Sequence, residues 1–348
     1  MRVRLVLGIL SALIAVGACA PASRPATDSA AASPPASAAP SPVAAASPTV
    51  AAPVAVKVGI AATSLNFLPA KVAVEHGFYR QYGLDVELVL VGAGVAAAAQ
   101  MSGELDYSTS YPSAVRSIAR GAPLKLVSTV VGAPLFVMLG RPEIGALADL
   151  RGQPVGITTR GGAQDKVTHD LLATIGLDAD TDVTILPAGG QITLLVDALV
   201  NDRIKGAALS APWFIRARDQ GMRVLASAPE RIREPQNGLI ATDEQLARRR
   251  DQVRHMVQAE IEAIRFIQAN RAPTTQLISA WLSISPREAE EAYDFVLPAY
   301  VPDGTIDVAA MERFLATETE EGNIPPGMKV EQVADLTLAP EAARALAR

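Results

Sequence analysis

The feature that most constrains this chain is that it resembles itself at a spacing near 100 residues. Val58-Gly59-Ile60 recurs as Val155-Gly156-Ile157, and Gly83-Leu84-Asp85 recurs as Gly176-Leu177-Asp178. Each copy runs into an apolar strand, Val86 to Val91 and Val183 to Leu186, and then a glycine turn, Gly92-Ala93-Gly94 and Ala188-Gly189-Gly190. An Ala- or Leu-rich helical stretch comes next, then a short strand around Leu105 to Tyr107 and Ile204 to Ala208. Both copies close on a Ser-Pro loop, Ser110-Tyr111-Pro112 and Ser210-Ala211-Pro212. Strands alternating with helical stretches imply βαβ units and a parallel sheet. Right-handed crossovers place the βα loops of such a sheet on one edge. Two copies therefore predict two doubly wound α/β lobes, and the period is far too long for a stacked solenoid.

The last hundred residues read as helix. Thr242 with Gln245 forms a capping box. Behind it, Leu246, Val253, Met256, Val257, Ile261 and Ile264 keep a 3–4 spacing expected of a core-facing stripe. Ser285-Pro286 with Glu288 opens another helix, with proline at its first position. The run Arg248 to Arg250 reads as a solvated face.

The N-terminus carries a different message. Arg2 and Arg4 precede an apolar run, Leu5 to Val16, too short to span a bilayer comfortably. That layout predicts a secretory signal over residues 1–18. Val16-Gly17-Ala18-Cys19 resembles a bacterial lipobox, which makes Cys19 the expected lipidation site and a lipid anchor the expected membrane contact. Cys19 is the only cysteine, so no intramolecular disulfide is available. Residues 19–54 are nearly all Ala, Pro, Ser and Thr, too poor in apolar bulk to offset ordering entropy, and read as a tether. The net charge of −5 is mild and no basic stripe carries interleaved aromatics, which argues against a nucleic-acid partner.

Within the first copy, Ala73, Gly77-Phe78-Tyr79 and Gly83-Leu84-Asp85-Val86-Glu87 lie in a stretch, Asn66 to Val89, that resembles the opening of the nitrate/sulfonate/taurine-type solute-binding proteins. Those proteins share a domain with the thiamine-pyrimidine synthase family. Ser102-Gly103-Glu104-Leu105-Asp106, Arg120-Gly121-Ala122-Pro123-Leu124-Lys125 and Leu150-Arg151-Gly152-Gln153-Pro154-Val155-Gly156 are similar to the signatures that follow. The resemblance covers roughly Val56 to Leu225. It implies a type II periplasmic-binding-protein fold whose lobes close on a ligand, in an expected monomer serving the transmembrane subunits of an ABC importer. Residues 55–138 plus 238–348 would form lobe one and residues 139–237 lobe two. The crossings fall near Phe136 to Leu139 and Asn237 to Ile240, and the tail completes lobe one.

In open α/β sheets ligands sit beyond the carboxyl ends of the strands. That edge offers Thr63, Ser64, Asn66, Phe67, Ser108, Thr109, Ser110 and Tyr111 in the first copy. The second copy offers Thr158, Thr159, Arg160, Gly161, Gly162, Ser210 and Trp213. Hydroxyls donate or accept as a ligand requires, and a helix starting after Gly162 would aim its positive end at an anion. Each has a plainer reading as well. Thr63, Ser64, Thr158 and Thr159 suit helix caps, Tyr111 and Trp213 suit the core, and Arg160 suits a surface pair with Asp165. Arg160 favours a small anion such as a sulfonate, nitrate or carboxylate, with a pyrimidine-type heterocycle as the alternative. The resemblance also admits an enzyme. No cofactor is implied, because His76, His169 and His255 lack metal spacing and an exported chain suits binding better than biosynthesis.

Overall fold

Each sequence copy forms the body of a five-stranded sheet, the first completed by a strand from the tail. The structure, a computed structural model, describes residues 52–160 and 162–347. The predicted signal, Cys19 and the tether up to residue 51 lie outside the described residues, as does Gly161.

The first copy comprises β1 (Val54–Ile60), α1 (Leu68–Glu75), α2 (Phe78–Gln81), β2 (Leu84–Leu90), α3 (Ala93–Met101), β3 (Tyr107–Ser110), α4 (Tyr111–Ile118) and β4 (Leu124–Leu126). The second comprises β5 (Val137–Gly140), β6 (Pro154–Ile157), α5 (Ala163–Ala173), β7 (Thr184–Pro187), α6 (Ile192–Val200), β8 (Gly206–Leu209), α7 (Trp213–Asp219), β9 (Arg223–Ser227) and α8 (Ala228–Arg231). The tail adds β10 (Asn237–Thr242), α9 (Asp243–Arg248), α10 (Arg250–Ala269), α11 (Arg271–Leu282), α12 (Pro286–Val296), α13 (Val308–Glu320), α14 (Val330–Val333) and α15 (Leu338–Ala345).

Strand order is β2-β1-β3-β10-β4 in the first sheet and β7-β6-β8-β5-β9 in the second. The sheets are mixed rather than wholly parallel. β1 pairs in parallel with β2 and β3, and β6 with β7 and β8, but β10 and β5 insert antiparallel. Each inserted strand arrives straight from the other sheet. Without a crossover helix to turn it round, it enters against the direction of its neighbours.

The repeat has a packing basis. A side chain at Gly59 would collide with Leu105, and one at Gly156 with Ile204 and Leu195, so glycine on β1 and on β6 lets the neighbouring segments lie against the sheet. Gly83 and Gly176 both take positive φ, 71° and 75°, which stops the preceding helix.

Three passes of chain link the sheets. Residues 127–136 run from β4 to β5, and residues 228–236 run back from β9 to β10. Val127 and Val130 donate to Leu239 and Asn237 carbonyls, both at 2.9 Å, and Gln236 donates to Val131 at 2.8 Å. The tail makes the third pass: Gly132 donates to Ala299 at 2.8 Å and Val301 to Val130 at 3.1 Å.

Both capping boxes form as the sequence requires, at Thr242 and Ser285. The stripe from Leu246 to Ile264 is interrupted, however: Arg249, at φ −135° and ψ 34°, separates α9 from α10. Arg250 is not merely solvated, since it pairs with Asp335 at 2.7 Å and fastens the end of the tail. Nor is the tail confined to the first sheet. Met311 and Phe314 of α13 share a core with Leu124 and Ile240, but Arg216 and Arg218 of α7 pair with Glu288 and Glu291 of α12, each at 2.5 Å. Among the described residues no helix is long and apolar enough to cross a membrane.

Candidate functional site

The loops at the strand ends differ in what their polar groups are doing. After β1, Thr63 is exposed, Ser64 and Asn66 are half-buried and Phe67 is buried. The Asn66 carbonyl accepts from Asn237 Nδ2 at 2.7 Å, and that of Leu65 accepts from the Tyr300 hydroxyl at 2.8 Å. On β3 both Ser108 and Thr109 are buried. Ser108 donates to Gln100 Oε1 at 2.6 Å and Thr109 to the Gly59 carbonyl at 2.8 Å. Tyr111 is completely buried, donates to the Ser128 carbonyl, and lies 3.1 Å from Thr129 Oγ1. These three groups are occupied inside the lobe, and Tyr111 presents no face to a ligand.

On the second lobe, Thr158 is half-buried and its N–H donates to Gln164 Oε1 at 2.6 Å. Gln164 also donates to the Ala208 carbonyl, so one side chain from the start of α5 ties down the ends of β6 and β8. Thr159 and Arg160 are exposed. Arg160 donates to Asp180 at 3.1 Å and lies 3.9 Å from Asp165. Ser210 and Trp213 are half-buried, with the Arg216 guanidinium 5.3 Å from the Trp213 ring centre.

A cleft of about 600 Å³ lies between α4 and α13 on one side and α5 on the other, with Glu234 and Gln236 of the second crossing at its base. Of the expected site residues among the described ones, Ser110 and Gly162 line it, while Asn66, Phe67 and Thr109 line a small recess with Gly238 and Glu260. Sequence reasoning missed the charged residues that form half of the wall. Arg116, one turn into α4, is held in a two-point pair by Glu318 of α13, at 2.6 and 2.9 Å, and Glu318 is 1% exposed. Lys166, in the first turns of α5, donates to both Asp170 and Glu234 at 2.8 Å. Burial pushes the Glu234 carboxyl above the usual range although Lys166 opposes it. Burial and then the Glu318 charge raise Glu321 in the same way. The one signal in the sequence was the Lys166–Asp170 spacing, which marks an i,i+4 pair and no more. Asp165, His169 and Asp180 also gather here, with His169 Nε2 3.5 Å from Asp165. Among the described residues no group of three or more His, Cys, Asp or Glu is placed to hold a metal ion.

Two mixed sheets of this strand order, joined by paired crossings and separated by a cleft, define a periplasmic-binding-protein fold. The chain belongs to the NMT1/THI5-like family, whose model matches residues 64–272. No curated protein matches it. Among solved structures it is similar to the periplasmic aliphatic sulphonate binding protein SsuA from Escherichia coli, at 17% identity and TM-score 0.67, over 83% of this chain and 99% of that one. The periplasmic nitrate-binding protein NrtA from Synechocystis PCC 6803 is similar at 18% identity and TM-score 0.65, over 84% and 89%. The desulfurization enzyme DSZB shares the fold at 15% identity and TM-score 0.61, over 84% and 99%.

Proposed function

We propose that this protein is the extracytoplasmic solute-binding component of an ABC importer. Residues 1–18 direct export, lipidated Cys19 anchors the chain, and residues 19–54 tether the lobes to the membrane. Lobe one comprises residues 55–138 and 238–348, and lobe two residues 139–237. The observation that carries the reading is that the walls of the cleft come from both lobes, α4 and α13 facing α5. A solute there touches both lobes at once, and bending at the crossings encloses it. Arg120, which has no ion-pair partner among the described residues, and the first N–H groups of α5 offer a place for an acidic group. The likeness to sulphonate- and nitrate-binding periplasmic proteins supports the same class.

The test is thermal unfolding and small-angle scattering of the full chain with a panel of sulfonates, nitrate, carboxylates, amines and pyrimidine precursors. A solute at 100 times its Kd stabilises the fold by about 2.7 kcal/mol. It should also shrink the radius of gyration. A panel that moves neither quantity refutes interlobe binding, and a compound returned chemically altered identifies an enzyme.

A further inference from the structure

The charge inventory of the cleft defines the solute more narrowly. Six carboxylates line it: Asp165, Asp170, Asp180, Glu234, Glu318 and Glu321. Against them stand three permanent cations, Arg116, Arg120 and Lys166. Arg160, reaching Asp180 from outside the lining, raises the cations to four and still leaves an excess of two carboxylates.

The pairing sharpens this arithmetic. Arg116 is bound at both nitrogens by Glu318. Lys166 is shared between Asp170 and Glu234, and Arg160 between Asp180 and Asp165. The start of α5, where an anion would sit, already carries Asp165 in its first turn. Of the cleft cations, Arg120 alone has no ion-pair partner among the described residues. Apart from Arg120, an incoming anion would thus meet cations that are already paired, and would add to an excess of like charge in a partly desolvated space. An incoming cation would meet carboxylates that share too few counter-charges.

We infer that the solute held in this cleft carries a cationic group, an ammonium, amidinium or guanidinium, which the carboxylates of Asp165, Asp170, Asp180 and Glu234 receive. Any acidic group on the same molecule is confined to the Arg120 side, so the fitting class is an organic cation or a zwitterion rather than a simple anion. This rests on the interlobe reading above.

The test uses two fragment-sized probes, methylguanidinium and methanesulfonate, titrated into the full chain at equal ionic strength. Amide shifts of Gly162, Lys166 and Gln236 are followed by NMR. Methylguanidinium should saturate these shifts and methanesulfonate should not. Asp180→Asn and Glu234→Gln should each weaken methylguanidinium three- to tenfold. Asp180 is well exposed, so its variant keeps the test readable if Glu234→Gln unfolds the chain. Methanesulfonate saturating the same amides while methylguanidinium does not would overturn the cationic assignment and leave the interlobe reading standing. Unaltered methylguanidinium affinity in a folded Asp180→Asn or Glu234→Gln protein would overturn it as well. If neither probe moves the cleft amides, the assignment falls, and if the wider panel is also silent the interlobe reading falls with it.

Discussion

The two lobes share one plan and use their strand ends in opposite ways. In the first, the central strand β3 reads Tyr-Ser-Thr-Ser, and the hydroxyls of Ser108 and Thr109 turn inward to Gln100 and to the Gly59 carbonyl. In the second, the matching strand β8 reads Gly-Ala-Ala-Leu, fully buried and without a side-chain hydroxyl. Its polar groups come instead from the flanking loops and from α5. Beneath the first lobe's edge lies Glu260 of α10, 2% exposed, with Ser128 Oγ at 3.4 Å. The contrast teaches that polarity at the end of a strand says little about ligands until its partners are known. A hydroxyl next to an unpaired carbonyl inside a lobe is already occupied.

The comparison is broken most severely at Gly238, on the closed edge. A side chain there would fall on the Ser128 carbonyl and press on the Tyr111 hydroxyl. The obstacle is backbone rather than a movable side chain. Gly238→Ala should therefore cost about 4 kcal/mol, read as a lowered denaturant midpoint. A loss below 1 kcal/mol would show that the crossings yield easily.

Glu260 gives the next largest effect. Burial raises its carboxyl from the usual range to about 8. In the unfolded chain it ionises near 4.5, so between pH 4.5 and 8 the folded state holds a proton that the unfolded state has lost. This group's contribution to stability accordingly falls as pH rises through that window. Glu260→Gln should be stabilising at pH 8 by on the order of 2–4 kcal/mol and nearly neutral at pH 4. Equal unfolding temperatures for variant and parent at both pH values would place a compensated charge at the site.

The smallest effect compares the lobes directly. Gly59→Ala meets only Leu105 Cδ1, whereas Gly156→Ala meets Ile204 and Leu195 together. Two tips must move in the second lobe, so Gly156→Ala should cost about 1 kcal/mol more than Gly59→Ala in urea unfolding. The reverse order would mean that the lobes pack β1 and β6 differently.

The architecture was legible because it is local and repeated. Strand, glycine turn and helix recur in order, and caps such as Thr242 with Gln245 depend on residues three apart. The antiparallel insertion of β5 and β10 was not, because it follows from where the chain crosses rather than from any periodicity. Within the cleft, Ser110 and Gly162 are the residues that the sequence had singled out. Arg116 and Glu318 are 202 residues apart, and Lys166 and Glu234 are 68 apart. Nothing in the neighbourhood of either member announces the other. Arg160 looked outward-reaching because it lies beside glycines, yet Asp180, twenty residues on, already accepts its hydrogen bond.

The join between the lobes is three strands thick and bonded across its width, 127–131 against 236–239 and again against 299–301. Straps that were separate could slip or fray one at a time. Laminated straps resist shear and leave bending as the soft direction, as in a leaf spring. Any relative movement of the two sheets would then follow one bending coordinate, set by the stiffness of the three segments together. A change that stiffens one segment is felt by the other two, because 127–131 is hydrogen-bonded to both of them.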